Sequence, residues 1–443
     1  MSNVRFIFTG SDNKVGIKEQ NKRYRRGENI MAVFHAFRAL RPTPEKAADV
    51  AALPYDVVNR EEAKSIGDEN PLSFLHIDRP EMDLEPETDL YDERVYEKAK
   101  ENLDNMEEKG ILVQDQKACY YIYELVRKGK TQTGIVGCSS IDDYMNGVVK
   151  KHELTREDKE QDRIHHVDSC NANTGPIFLA CRYPDSLLTL MNNWKDHHEA
   201  AYDFTEEDQI THRVWVIDED EIISEINKEF AGIDSLYIAD GHHRAASAVK
   251  VGLKRREQNP GYTVEEEFNY FLSVVFPYDQ LCILPYNRIV KDLNGLTVKA
   301  FLGALKFNFE LMLMPGFPCK PVEKHCMGMY VDGQWYHLKA WPDIYEKKDV
   351  VGQLDVSILQ EKVLRPVLGI EDPRTDQRIS FVGGSHKAAE LAEIADRTGG
   401  VAFVMYPTSM EDLMKIADEN KLMPPKSTWF EPKLRSGLFI HKL

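Results

Sequence analysis

The residues best suited to chemistry stand together in the run Asp240–Arg244, whose sequence is Asp-Gly-His-His-Arg. The residues before it, Leu236–Ala239, are mostly apolar, and an alanine-rich stretch follows it. This order predicts a short buried strand, a tight polar turn and a helix that begins near Arg244, with Asp240 or a neighbour as its cap. Several chemically active groups therefore meet within one turn.

Anion binding is the chemistry that this turn predicts. The free amide groups at a helix start attract anions, and Gly241 permits close approach. The guanidinium of Arg244 binds phosphate in a bidentate manner, and the two imidazoles donate hydrogen bonds or carry protons. The alternative is a capped turn with two surface histidines. Adjacent histidines on a turn point in different directions, so we predict no metal site at His242 and His243.

A second polar concentration contains the dipeptide His152-Glu153 at a predicted junction between strand and helix. A charged helix follows, on which Arg156, Lys159 and Arg163 are predicted to share one basic face. A solvated helix with surface ion pairs explains those charges. It explains His152 and Glu153 less well, so both a structural and a functional role remain open for this pair.

A third polar group lies in the C-terminal tail, Met423–Gly437, which is rich in proline and in hydrogen-bond donors. A tail of this composition usually packs back on the body of its protein. We therefore expect Lys426, Ser427 and Thr428 to face a pocket.

The elements that must position these groups belong to an α/β chain (α+β) with mixed sheets in two lobes. Residues 31–293 are predicted to form the lobe that carries the turn, and residues 294–443 a C-terminal α/β lobe whose tail packs back on the site. The predicted strands include Val33–Leu40, Ala118–Val126, Thr131–Ser139, His212–Ile217 and Tyr270–Pro277, and the predicted helices include Glu87–Lys109, Glu221–Ala231 and Met410–Asn420.

Residues 1–30 differ from the rest of the chain. Asn21–Asn29 is basic and polar without a hydrophobic period, which is typical of a disordered extension. The letters Arg-Arg-Gly-Glu shortly before Met31 are also what a purine-rich ribosome-binding site would give if it were translated. Met31 is therefore the alternative start of the natural protein.

The composition excludes several classes of protein. The 443 residues are 42% hydrophobic and carry a net charge of −17, which disfavours a non-specific binder of nucleic acid or of anionic membranes. The seven cysteines form no C-x-x-C pair, so we expect reduced thiols and no zinc ligand set. No apolar run approaches the roughly 18 residues of a membrane span, and we expect a cytoplasmic protein. The signatures of Walker-type ATPases, simple Rossmann dehydrogenases, α/β-hydrolases and zincins do not occur.

Four motifs in order resemble a bacterial and archaeal family filed as a domain of unknown function, DUF1015. They are Pro54-Tyr55-Asp56-Val57, His152-Glu153-x-Thr155, the Asp240–Arg244 run and Met423-Pro-Pro-Lys-Ser-Thr428. The resemblance spans nearly all of Ala32–Leu438. The chain departs from the family at Leu53, where a proline is usual.

The resemblance implies a fold and an activity. The family looks like a relative of the ParB/sulfiredoxin-like folds and of the free-serine kinases, in which a similar Asp-Gly-His-His-Arg box holds nucleotide phosphates. An upstream His-Glu pair in those kinases supplies a glutamate that deprotonates serine. Carried over, Asp240–Arg244 would be the phosphate site and Glu153 the base, with an insertion between Glu153 and Asp240, which are 87 positions apart.

The implied reaction is phosphoryl transfer from ATP or ADP, with Mg²⁺, to the hydroxyl of free serine or a similar metabolite. The catalytic residues would be Glu153, His152 and His243. The nucleotide would be bound by Asp240, Gly241, His242, His243, Arg244, Lys426, Ser427 and Thr428. The substrate would be bound by Glu45, Asp56, Thr155, Arg163 and Asn171, of which Glu45 and Asp56 are the candidate partners of an amino group or else helix caps.

Two other functions remain open at this point. A non-catalytic regulator that senses a nucleotide or metabolite would keep the phosphate turn on the same fold. A ParB-like DNA binder is disfavoured by the net charge of −17 and by the lack of a helix-turn-helix segment. We therefore expect a nucleotide and a small hydroxyl compound as partners, without nucleic acid or membrane, and the oligomeric state stays open.

Overall fold

The computed structural model describes residues 31–443, so the predictions made for residues 1–30 lie outside the described part of the chain. Two sheets organise this part, one of nine strands and one of six. The predicted α/β class with mixed sheets is confirmed. None of the helices in residues 31–443 is both long enough and apolar enough to cross a bilayer.

The nine-stranded sheet is built from the first part of the described chain. In spatial order its strands are Val149–Lys150, Leu236–Asp240, Ile177–Cys181, Tyr270–Pro277, Lys130–Ser140, Tyr120–Arg127, Thr211–Ile217 and Tyr202–Thr205, and Phe34–His35 also pairs with Lys130–Ser140. Two neighbouring pairs are parallel, Leu236–Asp240 with Val149–Lys150 and Tyr270–Pro277 with Ile177–Cys181, and the others are antiparallel. The first parallel pair brings the two motif-bearing segments side by side.

Helices and short pairs of strands surround this sheet. The helices are Ala47–Val50, Arg60–Glu69, Leu75–Asp78, Glu93–Glu108, Ile141–Asn146, Glu157–Cys170, Asp185–His197, Asp220–Phe230 and His242–Gln258, with 3₁₀ turns at Pro44–Lys46, Pro80–Asp83, Glu267–Asn269 and Tyr278–Gln280. The short pairs are Leu40–Pro42 with Leu112–Gln114, Ala172–Asn173 with His441–Lys442, and Ile283–Leu284 with Trp429–Phe430.

The six-stranded sheet is antiparallel throughout. Its spatial order is Phe309–Met314, Gln334–Ala340, Cys326–Val331, Val401–Val404, Tyr286–Val290 and Ile379–Gly383. Its helices are Val298–Leu305, Asp355–Leu359 with a π-helical continuation over Gln360–Leu364, Ala388–Thr398 and Met410–Asp418. One strand of this sheet, Tyr286–Val290, precedes residue 294, and the predicted lobe boundary there stays a prediction.

A continuous core joins the two sheets. The largest buried cluster contains Tyr121 and Phe276 from the first sheet and Met329 and Phe403 from the second. The tail residue Phe439 belongs to the same cluster and is fully buried. The C-terminal tail therefore contributes to the core rather than lying on its surface.

The hairpin predicted around residues 128–130 and the strands at His212–Ile217 and Tyr270–Pro277 are confirmed to within two or three residues at each end. Two other predictions are wrong in their bounds. The long helix begins at Glu93 instead of Glu87, because the Asp92 side chain accepts a hydrogen bond from the Arg94 amide and caps the helix there. The predicted strand Val33–Leu40 is interrupted, because its two ends pair with different sheets.

Candidate functional site

The polar turn lies between the strand Leu236–Asp240 and the helix His242–Gln258. Gly241 is the cap residue of the helix and has a φ of 91°, in the left-handed region that glycine adopts at little cost. The expectation that the helix begins near Arg244 under an Asp240 cap is corrected here. The helix starts two residues earlier, and no side chain caps it.

Asp240 is held by cations instead of by helix amides. Its carboxylate accepts a hydrogen bond from the Lys433 ammonium at 3.1 Å and lies 4.0 Å from the Arg244 guanidinium. Burial alone would raise the pKa of Asp240, but Lys433 and Arg244 outweigh it and hold that pKa below its ordinary value. Asp240 is therefore ionised at neutral pH and positions two cations beside the turn.

Arg244 lies against backbone where two glycines leave room. Its guanidinium donates to the Pro176 carbonyl at 2.6 Å. A Cβ atom added to Gly241 would stand 3.1 Å from the Arg244 guanidinium, and one added to Gly175 would stand 3.4 Å from it. Arg244, Arg163, Tyr55 and Asp78 also line a cavity of about 20 Å³, which is room for about one water molecule.

His152, Glu153 and His242 form the densest group of side chains in the site. The rings of His152 and His242 meet edge to face with centroids 4.4 Å apart, and His242 Nδ1 lies 3.9 Å from Glu153 Oε2. One ligand atom from each of the three lies within 4.8 Å of the other two. Two imidazoles and a carboxylate at this spacing are suited to proton transfer or to binding a metal ion.

Burial sets the protonation states of this group. It lowers the pKa of His152 to about 4, against the weaker opposing effects of Asp240 and the Ile238 backbone. It also lowers the pKa of His242, and the neighbouring His152 adds to this effect. Burial raises the pKa of Glu153, an effect that Lys426 opposes. Both imidazoles are therefore neutral at neutral pH, and the carboxyl of Glu153 is a stronger base than an exposed glutamate.

His243, the second histidine of the turn, faces another segment. Its Nε2 accepts a hydrogen bond from the Arg156 amide at 3.0 Å. Burial lowers the pKa of His243, with Asp56 and Glu160 opposing. This ring thus joins the turn to the start of the helix Glu157–Cys170, and its predicted catalytic role stays a prediction.

The C-terminal tail reaches the site from the other direction. The Met423 amide donates to the His152 carbonyl at 2.8 Å, and the Lys426 ammonium lies over the Tyr286 ring at 5.3 Å. The Ser427 hydroxyl is buried and donates to Pro424, so it stabilises the tail's own turn. Thr428 is half-buried. Nucleotide binding by Lys426, Ser427 and Thr428 stays a prediction.

The predicted substrate residues are scattered. Thr155 donates to Glu160 at 2.8 Å, and Asp56 is exposed but close enough to raise the pKa of Glu153 as one of several contributions. Glu45 is exposed, and its side chain accepts from the Thr43 hydroxyl. Asn171 donates to Leu443 at the far end of a 14-residue helix, about 20 Å from its start. The hydrogen bonds of Glu45 and Asn171 are with Thr43, Leu443 and Arg255, and substrate binding by all five predicted residues stays a prediction.

Arg163 departs from the surface position that the sequence predicts. It is buried, donates to Asp162 at 2.9 Å and stacks on the Tyr55 ring at 4.2 Å. Arg156 remains exposed, so the predicted basic helix face does not form. Arg163 points inward because its charge is satisfied by the neighbouring buried carboxylate.

Sequence reasoning missed Lys433. This lysine is buried, pairs with Asp240 and lies over the Trp429 ring at 4.7 Å. In the sequence, only the basic composition of the tail pointed to Lys433. That signal did not distinguish Lys433 from the other tail cations.

The family model described as "Protein of unknown function (DUF1015)" matches residues 34–357. No curated protein matches the chain. Several solved structures resemble it at low identity, among them the following three. A free serine kinase in complex with AMP is 14% identical, with 72% of this chain and 92% of that chain covered and a TM-score of 0.34.

The second structure is a conserved hypothetical protein from Pyrococcus furiosus, 16% identical over 71% of this chain and 96% of that one, with a TM-score of 0.32. The third is SbnI with a C-terminal truncation, from Staphylococcus aureus, 12% identical over 69% of this chain and 86% of that one, with a TM-score of 0.36. At TM-scores of this size the likeness carries no argument about function.

Proposed function

The chain belongs to the DUF1015 family, and we propose that it is a kinase-like phosphotransferase that moves a phosphoryl group from ATP or ADP to the hydroxyl of free serine or a similar metabolite. One observation carries the proposal. The uncapped start of the helix His242–Gln258, the cations Arg244 and Lys433, and the carboxyl of Glu153 come from separate segments and meet in one place.

The helix start supports phosphate binding. The first amides of an α-helix have no partner within the helix, and the helix dipole makes this end partly positive. No side chain occupies these amides in the helix His242–Gln258. Because Gly241 has no Cβ atom, the Arg244 guanidinium lies directly beside the helix start and adds a fixed positive charge there. Phosphoryl transfer depends mainly on such positioning and neutralisation of charge.

Glu153 is the proposed base. Its raised pKa brings the carboxyl closer to the pH at which it both stays ionised and accepts a proton readily. In the proposed reaction Glu153 takes the proton of the acceptor hydroxyl, while the Arg244 guanidinium and the helix amides stabilise charge on the phosphate. The exposed carboxylate of Asp56, near Glu153, offers hard oxygen ligands of the kind that suit Mg²⁺, which would neutralise the nucleotide phosphates.

A regulator that senses a nucleotide or metabolite is the second candidate. It is favoured by the fact that the charged side chains of the turn already have partners within the protein. Asp240 is paired with Lys433, and Arg244 donates to the Pro176 carbonyl. A sensor needs the phosphate site and no base. The residue that separates the two candidates is therefore Glu153.

Thermal unfolding of the full chain with ADP, ATP or pyrophosphate, each with Mg²⁺ and with or without L-serine, tests the proposal. A ligand that binds only the folded state raises the melting temperature. We expect a shift with nucleotide that grows with serine, and formation of phosphoserine. The variant Glu153→Gln should keep the nucleotide shift and lose turnover. No shift with any phosphate compound would reject the proposal.

The variant Arg244→Gln should lose most of the nucleotide shift. Its matched control is Arg255→Gln, which changes the same residue type near the other end of the same helix, where Arg255 contacts Asp168 and Asn171. Equal nucleotide shifts in the two variants would remove Arg244 from the phosphate site. A nucleotide shift without phosphoserine in the unmodified protein would favour the sensor.

A further inference from the structure

His152 has an unusual position for a polar side chain. It is 2% exposed, and neither ring nitrogen makes a well-formed hydrogen bond within the described part of the chain. A neutral imidazole carries one donor and one acceptor. The Ile238 backbone interacts with the ring only weakly. Leaving a buried polar group without a well-formed partner is unfavourable, so a ring retained in this state indicates a partner other than a protein group.

The neighbours of His152 indicate what that partner is. His242 is 6% exposed and lies edge to face against His152, and Glu153 is the next residue in the chain. Each of the three offers a ligand atom within 4.8 Å of the other two. Two imidazole nitrogens and one carboxylate oxygen are three of the four ligands of a tetrahedral site, with one position left for water or an added ligand.

The fold brings these ligands together through strand pairing. The strand Val149–Lys150 ends shortly before His152, and it is parallel to the strand Leu236–Asp240, which ends shortly before His242. Parallel neighbours end at the same edge of a sheet, so the loops that follow them are adjacent. The Met423 amide binds the His152 carbonyl and fixes the loop from outside.

We propose that His152, Glu153 and His242 form a binding site for a divalent transition-metal ion of the Zn²⁺ class. Imidazole ligands suit Zn²⁺, Co²⁺ and Ni²⁺, whereas Mg²⁺ and Ca²⁺ require mainly oxygen ligands. The site is therefore distinct from any Mg²⁺ that accompanies a nucleotide. Its ligands are two buried histidines and one carboxylate that reaches solvent.

One consequence rests on the proposed function. Glu153 is the proposed base, and a carboxylate that binds a transition ion has its lone pairs engaged. The ion-bound protein is then inactive in phosphoryl transfer, and release of the ion restores the base. The site would make the activity sensitive to Zn²⁺ through the proposed base.

Titration of the chelator-treated full chain with Co²⁺, followed by competition with Zn²⁺, tests the site without any assay of turnover. We expect one equivalent of Co²⁺ with the visible absorption of a tetrahedral ion and without the charge-transfer band of a thiolate ligand. The absence of that band separates this site from the seven free cysteines. No stoichiometric binding, or a thiolate band, would overturn the proposal.

Three variants and one control locate the ion. His152→Ala, His242→Ala and Glu153→Gln should weaken binding at least about 100-fold, the upper end of the loss seen when even an outer-shell partner is removed. The control His386→Asn removes an exposed histidine that contacts Glu390 at 2.9 Å, so it tests whether any histidine–glutamate pair suffices. Equal loss in the control, or unchanged binding in Glu153→Gln, would contradict the site.

Folding and function are checked separately. Glu153 is partly exposed, so Glu153→Gln keeps the shape of the side chain even where an alanine at His152 fails to fold. If the chain binds Co²⁺ but no nucleotide, the metal site stands and the proposed kinase function fails. If it turns over nucleotide without binding Co²⁺, the proposed kinase function stands and the metal site fails.

Discussion

Two carboxyl groups of the site show how neighbouring charges divide their roles. Burial favours the protonated form of both Asp240 and Glu153. At Asp240 the ammonium of Lys433, 3.1 Å away, outweighs burial, and the group stays ionised. At Glu153 burial prevails, and the group gains affinity for a proton. The first is suited to holding cations in place, and the second to accepting a proton or a metal ion.

Asp143 offers a test of the same balance away from the site. It is 1% exposed, accepts a hydrogen bond from the Val33 amide at 2.6 Å, and burial raises its pKa to about 7. Because the folded state holds this proton more tightly than the unfolded state, stability falls as the pH rises from the ordinary value of 3.8 towards 7. Above about pH 7 the stabilising contribution of the protonated Asp143 is fully lost.

The variant Asp143→Asn removes this titration. We expect it to lose less unfolding free energy than the unmodified protein between about pH 5 and about pH 8, because it has no proton to release. Urea unfolding at the two pH values measures the difference. Asp196→Asn, at an exposed position, is the control. Identical pH dependence in Asp143→Asn and the unmodified protein would show that the carboxyl is not buried in this way.

At the scale of elements, the site depends on one turn between a strand and a helix. Gly241 makes the turn possible because its φ of 91° strains any residue with a Cβ atom. The absence of a Cβ also lets the Arg244 guanidinium lie against the backbone. The element therefore needs this glycine for two separate reasons, conformation and space.

Those two reasons are separated by a pair of variants. Gly241→Ala and Gly147→Ala both place a Cβ at a left-handed residue, with φ values of 91° and 79°, and each should cost about 1–2 kcal/mol of stability. A Cβ at Gly147 meets nothing within 4 Å, whereas one at Gly241 displaces Arg244. We expect Gly241→Ala alone to reduce the thermal shift with ADP. Equal shifts in both variants would contradict a role for the Arg244 position.

At the scale of the whole molecule, the C-terminal tail connects distant parts of the described chain. Lys433 binds Asp240, Arg435 binds Glu206 and Asp208 at 2.6 Å, and His441–Lys442 pairs with Ala172–Asn173. Earlier in the tail, Trp429–Phe430 pairs with Ile283–Leu284 in a separate two-stranded sheet, and the Trp429 ring lies 5.2 Å from the ring of Tyr286 in the second sheet. The tail therefore contacts both sheets, and it brings Lys433 to the site.

Phe439 supplies much of the apolar contact between the C-terminal tail and the core. It is fully buried against Tyr121 and Tyr123, with ring centroids 5.3 Å and 5.7 Å away. We expect Phe439→Ala to lower the unfolding free energy by about 3–5 kcal/mol in urea, through lost transfer energy and the cavity left behind. The control Phe307→Ala, at a side chain 85% exposed, should change it by less than about 0.5 kcal/mol. Similar losses in both would contradict the packing of the tail.

The sequence by itself determined the local elements and the position of the turn. Alternation and helical periodicity depend on near neighbours in the chain, so the strand Leu236–Asp240, the hairpin across residues 128–130 and the α/β class could all be predicted. The four motifs also sufficed to identify the family. Boundaries failed where one side chain decided them, as Asp92 does at the start of the helix Glu93–Glu108.

Only the tertiary structure decided which distant residues meet. His152 and His242 are brought into contact by parallel pairing of two short strands, and Lys433 reaches Asp240 across 193 residues. No sequence period encodes which strands pair or where a tail crosses the body, because those contacts follow from burial of the core as a whole. For the same reason Arg163, expected on a basic surface, lies inside beside Asp162.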